Sequence, residues 1–401
     1  MKLILVTGCP RSGTTAVASW LLSAPGVAGG METRRSVVVH AMLNEARRFR
    51  TFGDDGLAGA GATRDVLVAA ARAALESLYG NIPTVAFSAN EATVVDKEPL
   101  EPIALPKGDY AQYLQDVLDV TDGKLICLVR NPIDAVASMV RRKWGYSTYA
   151  EPRAMTAELG AHVWNAANAA IIRAAVVAPE RVSLHSHEAL CSDPRTESEI
   201  LRQVTGLALP DFKPMATHHG EYDARVVSET SWIRQLLGCY DDRKKVAPRI
   251  VLLTGEPGTG KSTLARAAQS MCRSDERVVV LDGDDMRTLL WPELGYDDAS
   301  RAEAVRRAGN LAVSVAAAGA LVLVAMVAPA EGPRRKMGEA AAKAGVTFRV
   351  VRATAPREVR IQRRTEDVHG FAYEEPSAPN LVVDTTTVGV EDATRSVLEM
   401  A

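Results

Sequence analysis

At 401 residues the chain is too long for one ordinary core, and roughly 100–200 residues per domain predicts two domains or three. Hydrophobic residues at 47% and charged residues at 24% exclude a largely disordered chain. Its 47 Lys and Arg against 49 Asp and Glu leave a formal net charge of −2, which excludes a broad basic surface for nucleic acid and makes any anion site local.

Five cysteines (Cys9, Cys127, Cys191, Cys239, Cys272) are scattered and odd in number, with no CxxC pair. That fits a reduced, cytoplasmic interior better than a disulfide framework or a zinc site. The start, Met1-Lys2 and a short apolar run into a Gly/Pro-rich loop, fits no secretory signal. Leu311 to Ala330 is nearly continuous apolar sequence, about as long as a membrane span needs. Alanine and valine dominate it, with Gly319 near the middle and Pro329 at the end. The expectation is therefore a helix end, a stop at Ala318-Gly319 and a buried strand over Ala320–Val327, in a soluble protein with no membrane partner.

In chain order, short β-branched apolar runs predict strands at Leu3–Thr7, Lys124–Val129, Arg181–Leu184, Ile250–Thr254, Val278–Leu281, Leu321–Val327 and Phe348–Val351. Alanine-rich stretches with helical spacing lie between them, at Thr63–Tyr79, Ala157–Val177 and Ser300–Ala318. Such alternation predicts an α/β fold, mainly parallel sheets flanked by helices on both faces. The strand series restarts at Ile250, after the charged run Asp241-Asp242-Arg243-Lys244-Lys245. We therefore expect domains at residues 1–245 and 246–401.

The two halves share an internal echo. The first strand runs into Gly8-Cys9-Pro10-Arg11-Ser12-Gly13-Thr14-Thr15, and the strand at Ile250 runs into Gly255-Glu256-Pro257-Gly258-Thr259-Gly260-Lys261-Ser262. Both read G-x-x-x-x-G before a helix, a loop whose backbone N–H groups wrap a phosphate at a helix N-terminus. Two P-loop-type domains follow. The second loop carries Lys261 where the first has Thr14.

Gly255 to Ser262 is a full Walker A sequence between strand and helix. Gly255, Gly258, Gly260, Lys261, Ser262 and Thr263 are its expected nucleotide-binding residues. Lys261 would reach the β- and γ-phosphates and Ser262 would ligate Mg²⁺. No NKxD guanine signature is present, which favours ATP. Leu281-Asp282-Gly283-Asp284-Asp285-Met286-Arg287 then places carboxylates at a strand end facing the loop, where they can hold a metal-bound water or accept a proton.

Here the chain resembles adenylylsulfate (APS) kinases over residues 248–401. The resemblance rests on the Walker loop, Asp282-Gly283-Asp284-x-x-Arg287, Gly295-Tyr296, Arg301, Arg306-Arg307, Ala318-Gly319, Pro329 and the strand exit Asn380–Thr385. It implies Asp284 as base, Asp282 beside it at the metal, Arg287 and Arg301 on the phosphosulfate, and Tyr296 stacked on the adenine. The chain departs from the family at Ala304, where an asparagine is usual. Ala328-Pro329-Ala330-Glu331 replaces Ser-Pro-Tyr-Arg, and the basic lid is shortened to Glu366–Glu375, with His369-Gly370-Phe371 as a remnant.

The first loop resembles the 5′-phosphosulfate loop of sulfotransferases that use 3′-phosphoadenylyl sulfate (PAPS). Their donor has no triphosphate, and the missing lysine is consistent with that. The likeness implies Arg11, Ser12, Gly13, Thr14 and Thr15 as donor-binding residues. Arg130, after the strand Lys124–Val129, with Ser138 and Arg142 on the following helix, matches the family's 3′-phosphate site. Arg181–Leu184 and Ser192-Asp193-Pro194 match a later segment. Cys9 lacks the arginine six residues on that a phosphatase loop needs, so it reads as loop filler.

Met31-Glu32-Thr33-Arg34 and Asp96-Lys97-Glu98-Pro99 resemble the E-T-R and K-[DE]-P segments of tyrosylprotein sulfotransferases. That likeness implies Glu32 as general base, with Arg11 and Lys97 stabilising the transferring sulfuryl group. His40 is the alternate base; His185, His187 and the pair His218-His219 have no metal-ligand context.

The combined expectation is a bifunctional enzyme using ATP, Mg²⁺ and PAPS. The later domain phosphorylates adenylyl sulfate to PAPS, and the earlier one passes its sulfuryl group to a small-molecule hydroxyl acceptor. The alternatives are a kinase acting on another small molecule, the acceptor included, and a nucleotide-binding protein with one inactive half. A homodimer is compatible with the sequence, which does not decide the oligomeric state.

Overall fold

The computed structural model describes residues 2–51, 68–74, 77, 93–100, 110–142, 146–148, 151–153, 155–213, 219–221, 223–237, 245–363 and 372–400. Within them the first sheet contains β1 (Lys2–Gly8), β2 (Val27–Met31), β3 (Thr93–Lys97), β4 (Lys124–Val129) and, after the small antiparallel pair β5 (Tyr146–Thr148) and β6 (Glu151–Arg153), β7 (Val182–Ser186). The order is β2-β3-β1-β4-β7, all parallel. β1 and β4 are buried almost throughout, as central strands covered on both faces must be, and that burial produces their unbroken apolar runs. Helices α1 (Thr14–Leu21), α2 (Arg35–Thr51), α3 (Tyr110–Val120), α4 (Pro132–Arg141) and α5 (Ala157–Val177) flank the sheet. Thr156 caps α5, its hydroxyl accepting the Leu159 N–H at 3.2 Å.

The second sheet contains β8 (Arg249–Thr254), β9 (Val278–Asp282), β10 (Leu321–Ala325), β11 (Thr347–Thr354) and β12 (Leu381–Asp384), in the order β12-β11-β8-β10-β9 and again all parallel. Numbered by chain position within each sheet, both orders are 2-3-1-4-5. The likeness of the two loops thus extends to the whole sheet. The apolar stretch at Leu311–Ala330 resolves as expected, into the end of a helix (Asp298–Ala317), a left-handed Gly319 (φ 91°) and the fully buried β10. No helix among the described residues is long and apolar enough to cross a membrane.

In both sheets the connection leaving the first strand and the one leaving its neighbour β4 or β11 run to opposite sides. Open α/β sheets bind ligands at the strand ends beside such a reversal. The predicted strands are all present; β2, β3 and the short pair β5 and β6 are additional. Residues 68–74 of the helix expected over Thr63–Tyr79 are helical, and most of the remainder lies outside the described residues, as do the run Asp241–Lys244 and His369-Gly370-Phe371. Contacts divide the chain into Met1–Ile233 and Arg234–Ala401, while the division expected at 245/246 falls just ahead of β8.

β2 escaped sequence reading because Ala28-Gly29-Gly30 carries no strand signature. Gly29 has φ 149°, and a Cβ there would lie 1.6 Å from the Val95 carbonyl oxygen. Any side chain would push β2 off β3. Gly29→Ala should therefore lower the stability of the first unit by at least about 2 kcal/mol, read as a drop in denaturant midpoint; an unchanged midpoint would contradict the β2–β3 register.

Candidate active sites

In the first unit the chain leaves β1 at Gly8 and enters α1 at Thr14 through Gly13, whose φ of 92° caps the helix. Ser12 is fully buried, and its hydroxyl has no hydrogen-bond partner among the described residues. A buried orphan hydroxyl at a helix N-terminus is suited to an anionic oxygen. Arg11 also takes a left-handed backbone (φ 70°). Its Nε donates to Ser138 Oγ at 3.1 Å, and Arg130 Nη1 donates to the Arg11 carbonyl at 2.9 Å. Trp164 Nε1 in turn donates to the Arg130 carbonyl at 2.8 Å. Burial, then the charges of Arg142, Arg130 and Arg141, pushes the Arg11 guanidinium below its ordinary pKa. Arg11, Arg130, Ser138 and Arg142 thus gather at one strand end, where like charges are crowded enough to favour an anion. Cys9 is fully buried and burial pushes its thiol up, so it is no nucleophile in this state.

Glu32 follows β2 and Lys97 ends β3, with Met31 opposite Lys97 in the register. The Glu32 N–H donates to the Lys97 carbonyl at 2.7 Å, and the Lys97 ammonium pairs with the Glu32 carboxylate. Lys97 is a buried side chain (6% exposed) and Glu32 a half-exposed one (45%). Glu32 and Arg34 both have left-handed backbones, φ 54° and 60°, a conformation that costs on the order of 1–3 kcal/mol for a residue with a side chain. The alternate base, His40, is buried with Nδ1 2.7 Å from Asp116 Oδ2 and its ring edge-on to Tyr113. His185 sits against Glu197 at 2.8 Å. His218 lies outside the described residues.

In the second unit Gly260 caps the helix Lys261–Met271 with φ 85°, the counterpart of Gly13. Lys261 is buried, and its Nζ donates to the carbonyls of Gly255 and Glu256, both at 2.9 Å. One cavity of about 1370 Å³ brings the loop residues Gly258, Gly260 and Lys261–Thr263 together with Asp282, Asp284, Arg287, Tyr296 and Arg301. Asp282 caps the helix Gly283–Leu289, its Oδ1 accepting the Asp284 N–H at 3.1 Å. Its Oδ2 is buried without a hydrogen bond among the described residues, facing Arg266 at 3.7 Å. Burial, then the Asp282 charge, raises the Asp284 carboxyl above its ordinary pKa. Ser262, Asp282 and Asp284 line one cavity and carry hard oxygen donors, a set that fits Mg²⁺.

Arg287 and Arg301 hold Tyr296 by cation–π contact, 4.5 and 5.5 Å from its ring centre, and Arg301 Nε donates to the Tyr296 carbonyl at 2.6 Å. Ala304 and Ala328 are on the same cavity wall. Sequence reading missed what supports that wall. Ala328 is left-handed (φ 43°), and its carbonyl accepts from Arg334 Nη1 at 2.6 Å. Arg334 is itself buried and also donates to the Glu374 carbonyl at 2.7 Å. An arginine in Arg334-Arg335-Lys336 reads as solvent-facing, and nothing in the local pattern marks one of the three as buried.

Comparison with known proteins bears on both units. The profile of the sulfotransferase family matches residues 4–211, and that of adenylylsulphate kinase matches residues 247–384. The adenylyl-sulfate kinase of Geotalea uraniireducens is 34% identical over 172 residues, 40% of this chain and 83% of that protein. That of Myxococcus xanthus is 35% identical over 164 residues, 37% of this chain and 89% of that protein. Among solved structures, the Mycobacterium tuberculosis APS kinase CysC in complex with AMPPNP and APS aligns with 26% identity and a TM-score of 0.37, covering 39% of this chain and 98% of that one. A sulfotransferase domain from the curacin biosynthetic pathway aligns with 16% identity and a TM-score of 0.36, covering 57% and 82%.

One titration follows from the first site. His187 is buried, and desolvation followed by the charge of Arg130 lowers its pKa from 6.5 to about 4. The folded state keeps it neutral where the unfolded chain protonates it, so this part of the stability is full above pH 6.5 and lost as pH falls towards about 4. The unfolding midpoint of the first unit should drop across that window, and His187→Gln should flatten the drop; equal slopes in both proteins would contradict it.

Proposed function

Because the chain belongs to the sulfotransferase family over residues 4–211 and to the adenylylsulphate kinase family over residues 247–384, we propose that it makes and then spends its own sulfuryl donor. It is a bifunctional enzyme. In this reading residues 246–401 phosphorylate the 3′-hydroxyl of adenylyl sulfate with ATP, and residues 1–245 transfer the sulfuryl group of the resulting PAPS to a small-molecule hydroxyl. The observation that carries it is the paired loops on sheets of one strand order, only one of them with the Walker lysine. The product of one half is the donor of the other.

In the kinase half, Lys261 holds the β- and γ-phosphates, and Arg287 and Arg301 hold the phosphosulfate beside Tyr296. Asp284, whose burial raises its pKa, takes the proton of the 3′-hydroxyl. Ser262 and Asp282 would hold Mg²⁺, which would supply charge neutralisation of the phosphates. In the sulfotransferase half, Ser12–Thr15 cradle the 5′-phosphosulfate while Arg130, Ser138 and Arg142 grip the 3′-phosphate. Glu32 takes the proton of the acceptor hydroxyl, its oxygen attacks sulfur, and 3′,5′-ADP leaves. Arg11 and Lys97 stabilise the charge on the transferring group, a role whose loss typically costs about 10²–10³ in rate. We place the reaction in the cytoplasm; a homodimer is the simplest closed assembly, to be read by sedimentation.

Ala304 and Ala328 on the cavity wall favour a second reading, in which the kinase acts on another small molecule. Incubation with ATP, Mg²⁺ and adenylyl sulfate, with nucleotides identified by mass, separates the two. PAPS formation is expected; ATP consumed only when adenylyl sulfate is replaced by another acceptor would establish the second reading. Lys261→Ala should abolish PAPS formation and leave sulfation from added PAPS intact. Loss of both activities would contradict the division of labour.

A further inference from the structure

Two fully buried carboxylates in the first unit, Asp96 and Glu98, take no part in the chemistry proposed above. They flank Lys97, and each reaches across to the segment that carries Glu32. Asp96 Oδ2 accepts the Thr33 hydroxyl at 2.6 Å while its Oδ1 accepts the Lys97 N–H at 2.8 Å. Glu98 accepts twice from Arg34, at Oε2 from the backbone N–H (3.1 Å) and at Oε1 from Nη1 (2.5 Å). Glu98 is itself tied to β1, its N–H donating to the Val6 carbonyl at 3.0 Å and its carbonyl accepting the Thr7 hydroxyl at 2.7 Å. Residues 32, 33 and 34 are thus matched one to one with 97, 96 and 98, through Glu32–Lys97, Thr33–Asp96 and Arg34–Glu98.

The clamp falls on the only stretch among the described residues where two non-glycine residues so close together, Glu32 and Arg34, have positive φ. Left to itself such a turn relaxes to ordinary backbone, and the Glu32 carboxylate moves with it. We infer that Asp96 and Glu98 are positioning residues, which hold the strained 32–34 turn against β1 and so fix the proton-accepting oxygen of Glu32 relative to the donor loop. Misplacing a reacting group by about 1 Å can cost on the order of 100-fold in rate. This inference rests on Glu32 being the base.

The test uses the full-length chain with added PAPS and a panel of simple phenols and alcohols, reading 3′,5′-ADP release, with Glu32→Gln as reference. Thr33→Val keeps the side-chain volume and removes the hydrogen bond to Asp96. It is expected to lower kcat at least 10-fold while the Kd for 3′,5′-ADP stays unchanged, and Thr33→Ser should restore the rate. Glu98→Gln should behave like Thr33→Val. Peptide-resolved hydrogen exchange gives a readout that needs no acceptor: the 32–34 amides should exchange at least 10-fold faster in Thr33→Val, with β1 unchanged. Wild-type exchange in that variant, or a wild-type rate in it when Glu32→Gln is inactive, overturns the inference. An active Glu32→Gln would instead overturn the assignment of Glu32.

Discussion

In both halves the chain leaving the first strand enters its helix through a left-handed glycine with φ near 90°. Gly13 and Gly260 aim a helix N-terminus at the strand ends where the sheet reverses. Everything chemical in the two units is arranged about that turn. The loop supplies N–H groups and a partial positive charge for one phosphate, and what else the loop carries decides which phosphate compound fits. Lys261 adds a full charge suited to a triphosphate chain. Thr14 in its place leaves the positive charge near the first loop to Arg11, Arg130 and Arg142, arginines whose fork geometry suits separate anionic groups.

The common strand order also fixes where the carboxylates go. In both sheets the acidic group lies at the end of the second strand, an edge strand: Glu32 just after β2, Asp282 as the last residue of β9 and Asp284 two residues on. The surroundings then diverge. Asp284 is raised by burial and by a neighbouring carboxylate, an environment that favours taking up a proton. Glu32 is half exposed and paired with Lys97, so its position depends on how the turn beneath it is held.

Much of this was legible in the sequence wherever one physical requirement dominates. Strands buried on both faces need continuous apolar runs, and β1, β4, β8 and β10 show them. The Walker loop needs its glycines and lysine at fixed spacing. Legibility failed where two segments solve a problem jointly. β2 is built of small residues because the Val95 carbonyl approaches Gly29, and β3 ends in Asp96-Lys97 with Glu98 next, three charged residues that are all buried. Their burial makes sense only beside Glu32-Thr33-Arg34, and that pairing is set by strand register. Arg334 escaped for the same reason, its partners lying at Ala328 and Glu374.

The central claim is that the two loops are separate sites for different nucleotides. Titration calorimetry on the full chain tests it most directly. One equivalent of Mg·ATP and one of 3′,5′-ADP should bind, each with its affinity unchanged when the other is already present. Displacement of one by the other, or a single site for both, would contradict the account.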